Sequence, residues 1–320
     1  NDETILKNHF SESSFVECDH ITECGMSVGG QDHVYLEGQV ALAMPSSDGI
    51  HVVSSTQHPT EVQDLIANLL GVSAANVTVE VRRMGGAFGG KESQAAHFAI
   101  LAALGAHVTG RPVKVRLDRD DDMRVTGKRH DFLVNYRVGH DAEGLITAAD
   151  IELNSRCGWS SDLSRSVNDR ALFHAENAYF IPSVKIVSNR FKTNTVSNTA
   201  FRGFGGPQGM IGIERCMDVI ARVTGKDPLD IRLLNLYGTS GTETPYGMSI
   251  DEGVLPKIIR NLAETADYRN RREEINLTNG QSKRIKRGIA LTPVKFGISF
   301  TASFLNQAGA LLNVYKDGSV

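Results

Sequence analysis

Residues 77–107, VTVEVRRMGGAFGGKESQAAHFAILAALGAH, change their periodicity at a single loop. From Val77 to Met84 valines alternate with Thr, Glu and Arg, the two-residue period of a strand. From about Ser93 to His107 an Ala-rich run reads as a helix. Between them stand four glycines in six positions, Gly85–Gly90. A tight strand-to-helix turn needs a glycine where φ is positive, but four exceed that need. They let a backbone come close to a ligand, and free N–H groups at a helix start favour an anionic one. The order recurs downstream: a strand over Val184–Phe191, the loop RGFGGPQG at 202–209, and a helix from about Met210 to Val223. Strand, glycine loop and helix, twice over, predict an α+β fold of mixed sheets and helices built from tandem related β-α-β modules, without a sequence repeat.

Working outward, strands are expected at His33–Ala43, His51–Ser55, Val113–Leu117, 131–139 and 145–154, the last two joined by a turn at Asp141–Gly144. A helix over Glu61–Leu70 opens at Pro59-Thr60 and stops at Gly71. Further helices follow at 229–236 and Val254–Glu274. Residues 1–27 are polar and read as an irregular N-terminal arm, 28–267 as a first module, and 268–287 as a solvated, charged connector. Residues 288–320 read as the start of a second, truncated module, with strand character over Lys286–Phe300 and Ala308–Tyr315. KDGSV at the end reads as a hairpin turn with two residues of its return strand, so the intact protein is expected to continue.

Hydrophobic residues make up 41% of the 320 and charged residues 22%, an ordinary globular balance. A net charge of −3 offers no basic field for nucleic acid or anionic membrane. No apolar run approaches the roughly 18 residues of a membrane span, and the first residues lack the pattern of a secretory signal. The four cysteines, Cys18, Cys24, Cys157 and Cys216, form no CxxC pair. They read as reduced, mostly buried thiols in a cytoplasmic protein, too scattered to hold an iron–sulfur cluster.

Gly85 to Lys91 also fits the GxxxxGK spacing of a phosphate-binding loop. Glu92 argues against it, because a carboxylate stands where a Ser or Thr hydroxyl should bind Mg²⁺. The acid at the end of the next strand, Asp118, follows an alternating strand rather than a continuously buried one. A nucleotide hydrolase is therefore the remote reading. Glu92 by itself suits a helix start on dipole grounds as well as it suits a ligand site. Arg170 by itself reads as a surface arginine.

In NTAFRGFGGPQGM, from Asn198, Arg202 lies inside the second glycine loop between Phe201 and Phe204, a set suited to a flat, polar, anion-bearing ligand. With this stretch the chain resembles a known family. GGQDHVYLE (29–37), RMGGAFGGKE (83–92), TAFRGFGGPQGM (199–210) and KFGISFTASFLNQAGALLNVY (295–315) closely resemble the molybdenum domain of xanthine dehydrogenases and aldehyde oxidases. The four motifs stand in family order, and the resemblance runs over residues 20–320.

The resemblance implies a molybdenum-bearing pyranopterin (molybdopterin), whose Mo–OH oxygen attacks a ring carbon while hydride passes to Mo=S. Iron–sulfur clusters and FAD are then expected on other domains or subunits, and the complete assembly is expected to be a dimer. Gln31 would bond the metal's oxo group, and Phe88, Gly89 and Arg202 would lie against the cofactor, near the metal without ligating it. Phe204 and Phe300 would sandwich a planar purine beside Thr301. Glu92 matches the carboxylate that grips and polarises purines, and Arg170 the guanidinium that stabilises charge developing on them. Together these two favour a purine hydroxylase of purine catabolism, converting hypoxanthine or xanthine to urate. An aldehyde or other N-heterocycle hydroxylase of the same family, or a cofactor-free, non-catalytic chain, is the alternative. The family's general base is a glutamate expected beyond Val320, so these residues alone are expected to be inactive.

Overall fold

In a computed structural model, which describes every residue except Asn1, Glu252, Ala302, Phe304, Leu305 and Gln307, the alternating segments pair into two sheets. One has the order β1 (Asp2–Asn8), β9 (Ser183–Lys192), β8 (Ile146–Gly158), β7 (Phe132–His140), β2 (His20–Val28). The other runs β5 (Val77–Glu80), β4 (Gly49–Ser54), β3 (Val40–Ser46), β6 (Val113–Arg116). Each holds one parallel pair, β8–β9 and β4–β5, and is otherwise antiparallel. A parallel pair needs a helical crossover. Helix α1 (Pro59–Leu70) supplies it between β4 and β5, and α4 (Ser164–Phe173) between β8 and β9.

The remaining helices are α2 (Gln94–Thr109), α3 (Arg119–Val125), α5 (Gly206–Thr224), α6 (Pro228–Asn235), α7 (Val254–Thr265) and α8 (Tyr268–Gln281). One core joins Val134, Ile151 and Ile186 of the five-stranded sheet to Leu172 of α4 and to Ile213, Met217 and Ile220 of α5. The second joins Ala43, Val52 and Val77 to Ile66 of α1 and to Ala99, Ala102, Ala103 and Ala106 of α2. Alanines let α2 lie close to its sheet. Both glycine loops follow a strand and precede a core helix, α2 or α5, so each loop is held at both ends.

Several expectations are corrected. The arm at 1–27 is not irregular, because β1 and β2 form the two edges of the larger sheet. Edge strands with one open face tolerate polar residues, and Cys24, Met26 and Val28 do alternate toward the core. The strand expected at His33–Ala43 begins only at Val40. The connector at 268–287 is largely α8, and the single helix expected at Val254–Glu274 breaks before Tyr268, with Asp267 at φ 48°. Helices α3 and α4 are short and mostly polar, which hides them from a reading of apolar periodicity. Lys286–Phe300 and Ala308–Tyr315 join no sheet, since no described strand lies beside them. The turn at the end does form, with the Tyr315 amide donating to Ser319 and the Gly318 amide to Tyr315. The cysteines are not all thiols. Cys24 on β2 is disulfide-bonded to Cys216 on α5, 192 residues away, and Cys18 and Cys157 are free.

Candidate functional site

The first glycine loop is anchored from beneath by the residue after it. Lys91 is fully buried, and its Nζ donates to the Glu37 carbonyl at 2.8 Å and the Ser55 hydroxyl at 2.7 Å. The Glu37 carboxylate lies 3.4 Å from this ammonium and also accepts from the Gly85 amide. The amides of Gly89 and Lys91 both donate to the Gln57 side chain. A lysine turned inward cannot reach a phosphate, and Asp118 caps α3 by accepting from the Asp121 amide. The nucleotide-hydrolase reading ends there.

The two glycine loops meet back to back. The Arg202 amide donates to the Phe88 carbonyl at 2.9 Å. Gly89, at φ 100°, lies so close to the second loop that a Cβ would stand 2.8 Å from the Ala200 carbonyl. Residues the sequence did not single out lock this contact. His33 bonds the Ala200 carbonyl at 2.7 Å and stacks on Phe201. Arg129 lies over the other side of the site, 3.9 Å from the Phe201 ring centroid, and donates to the Arg202 carbonyl. Its amide in turn donates to the Gln31 carbonyl, placing Gln31 at the same junction. Burial pushes the Arg129 guanidinium down to about 10, and its Nε has no partner among the described residues. Arg129 had one readable signal, the Lys-Arg-His run after Gly127, but nothing local tells a buried arginine from an exposed one.

Glu92 opens the turn leading into α2. Its carboxylate is half-buried, without a hydrogen bond or ion pair among the described residues, and burial pushes it up to about 6. His58, Glu61 and Asp162 are charged or titratable groups that act on it.

Arg170 lies on α4 and is 4% exposed. Its two terminal nitrogens donate to the carbonyls of Gly297 and Ser299, while Nε is unpartnered among the described residues. Phe204 and Phe296 flank its guanidinium at 5.9 and 5.2 Å. The segment that predicted a strand is instead laid along α4 by side chains. His174 accepts from the Gly297 amide, Asn177 pairs with Pro293 and Lys295, and Thr301 Oγ1 donates to the Ser166 carbonyl. Phe204 and Phe300 thereby come together, with centroids 5.1 Å apart and planes tilted by 52°. The rings touch each other. A planar ligand between two aromatic faces needs two contacts of about 3.5 Å, roughly 7 Å between planes, so the pair must part to admit one.

Arg170, Phe204, Phe300 and Thr301 form one cluster, Gln31, Phe88, Gly89 and Arg202 a second at the loop junction, and Glu92 follows the first loop directly. The junction fits an anionic cofactor approached by backbone. The amides of Gly86, Ala87 and Phe88 find no acceptor among the described residues, Arg202 is exposed without a side-chain partner among them, and Phe88 is 46% exposed. Unpaired amides beside a cation make a cradle for an anion. No group of three His, Cys, Asp or Glu side chains converges among the described residues, so a metal here would arrive on an organic ligand. No helix among these residues is long and apolar enough to cross a membrane.

Comparison with known proteins agrees with this geometry. Two family models, both described as molybdopterin cofactor-binding domains, match residues 3–236 and 261–320. The xanthine dehydrogenase of Calliphora vicina is 47% identical over 97% of the chain, and that of Dictyostelium discoideum 42% over 99%. The chain spans 23% of the length of either. Among solved structures, the aldehyde oxidoreductase of Desulfovibrio gigas superposes with a TM-score of 0.76 at 26% identity, over 88% of this chain and 30% of that one. Quinoline 2-oxidoreductase from Pseudomonas putida shares the fold at the same TM-score, over 88% of this chain and 36% of its own. The chain belongs to the molybdopterin cofactor-binding domain family.

Proposed function

We propose that this chain is the molybdopterin-binding portion of a purine hydroxylase that oxidises hypoxanthine or xanthine to urate. The observation that carries the reading is Glu92: a half-buried carboxylate with no hydrogen-bond or ion-pair partner among the described residues, beside the glycine loop that fits the cofactor. Evolution seldom leaves such a group uncompensated unless a ligand completes it. Oxygen insertion and uptake of an electron pair are the chemistry a bound molybdenum cofactor supplies. The chain's own residues do the rest. Gln31, the amides of Gly86–Phe88 and Arg202 hold the cofactor. Glu92 accepts a purine N–H or, protonated, donates to a ring nitrogen or oxo group; its raised pKa makes both forms accessible near neutrality. Arg170 stabilises negative charge spreading over the ring, and Phe204 and Phe300 orient the ring once they part.

Iron–sulfur and FAD modules on other domains or subunits of a dimeric, cytoplasmic assembly would take up the electrons. In the intact enzyme, Glu92→Ala should lower purine kcat/KM by about 100-fold or more, the loss of a charged hydrogen bond in the transition state, while sparing simple aldehydes. Unchanged purine kinetics would overturn the assignment. An aldehyde hydroxylase is the second reading, favoured by the superposition on an aldehyde oxidoreductase. Under it the same variant would leave the preferred substrates untouched.

A further inference from the structure

Asp162 precedes α4 at a positive φ of 41°, a backbone conformation uncommon outside glycine. Its carboxylate gathers donors from three segments. From the start of α2, Ser93 Oγ donates at 2.8 and 2.9 Å to the two oxygens, and Gln94 Nε2 at 2.5 Å. From the stretch entering the second glycine loop, Thr199 Oγ1 donates at 3.0 Å. The amide of Leu163, the N-cap of α4, donates at 2.6 Å. Gln94 carries the tie further, accepting from the Gly127 amide. No cation pairs with Asp162 among the described residues, so neutral dipoles alone hold its charge.

Those three segments deliver the three polar groups of the proposed site. Ser93 and Gln94 directly follow Glu92, Thr199 stands three residues before Arg202, and Leu163 begins the helix bearing Arg170. We infer that Asp162 is a positioning residue that joins the Glu92, Arg202 and Arg170 segments into one site. Only an ionised carboxylate can accept from every one of these donors; an asparagine would turn an NH₂ toward Ser93 or Gln94. A negative charge near a second carboxyl, as Asp162 is to Glu92, disfavours its ionisation. Glu61 on α1 acts on Glu92 in the same sense and His58 in the opposite one. This inference deepens the proposed function and rests on its assignment of the site.

The test reads Glu92 in the 320-residue chain by NMR of ¹³Cδ-labelled glutamate, with amide exchange measured alongside. Asp162→Asn should lower the Glu92 midpoint by about half a unit and speed exchange of the amides that open α2 by about tenfold or more. A merely structural role would speed exchange and leave the midpoint in place. A folded variant with an unmoved midpoint therefore overturns the inference. Thr199→Val is the milder companion if the first variant does not fold. It keeps the charge and removes one donor, so the midpoint stays raised while the Arg202 amide exchanges faster; unaltered exchange there sinks the bridging role. Neither readout needs cofactor or substrate, so a parent enzyme inactive on purines would refute the proposed substrate and leave this result standing.

Discussion

Glu92 carries a burial penalty that no hydrogen bond or ion pair among the described residues relieves. Its carboxyl is held near 6 in the folded chain against 4.5 in a solvated one. The folded state thus binds the proton more tightly. Stability from this residue is fully present below pH 4.5 and lost as pH rises through 6, about 2 kcal/mol in all, by linkage. Glu92→Gln removes the titration. The variant's unfolding free energy relative to the unmodified chain should therefore rise between pH 4.5 and 6 and stay level above. Denaturant unfolding at pH 4, 6 and 8 measures it, and a difference that does not change with pH would discount the burial. A residue that weakens the fold at neutral pH is what a ligand site retains. The residue type and its place after a glycine loop were readable in the sequence. Its lack of a partner was not, because that depends on where α1 and Asp162 come to lie.

At the scale of elements, the two glycine loops matter less singly than through their contact. Gly89 combines a positive φ with a neighbouring backbone already at contact distance, whereas Gly110, the C-cap of α2, has a φ of 64° and open space around it. Gly110→Ala should cost about 1 kcal/mol, the conformational term alone. Gly89→Ala must also push the loops apart, and should cost roughly 2–4 kcal/mol, strain and overpacking together. Urea unfolding of the two variants compares them directly, and equal losses would show that the apposition is loose. Each glycine loop, with its preceding strand and following helix, was legible from local periodicity. That the loops would touch was not, since no local pattern encodes the spacing between residues 89 and 200.

Across the whole molecule, the edge strand β2 is tied to α5, the helix that leaves the second glycine loop, by Cys24–Cys216. The link closes most of the chain into one loop and restricts the unfolded ensemble more than a local bridge would. Alkylation under denaturing, non-reducing conditions should label two cysteines, Cys18 and Cys157, and after reduction all four. Mass spectrometry reads the count, and four labels without reduction would return the pair to the thiol state that spacing alone suggested.

What the sequence by itself determined is local: where a helix stops at Gly71, where valines alternate, where glycines crowd, and, through four motifs in order, the family. Those features depend on a few neighbouring residues and on steric rules that act over one turn or one hairpin. What only the tertiary structure decided depends on partners distant in the chain. The polar strands β1 and β2 exist because β9 and β7 offer them ladders. Residues 293–301 find no described strand beside them, and side chains on and just after α4, Arg170, His174 and Asn177, take up backbone groups of that segment instead. Arg170, a surface arginine by its local surroundings, is buried because that same segment crosses over it.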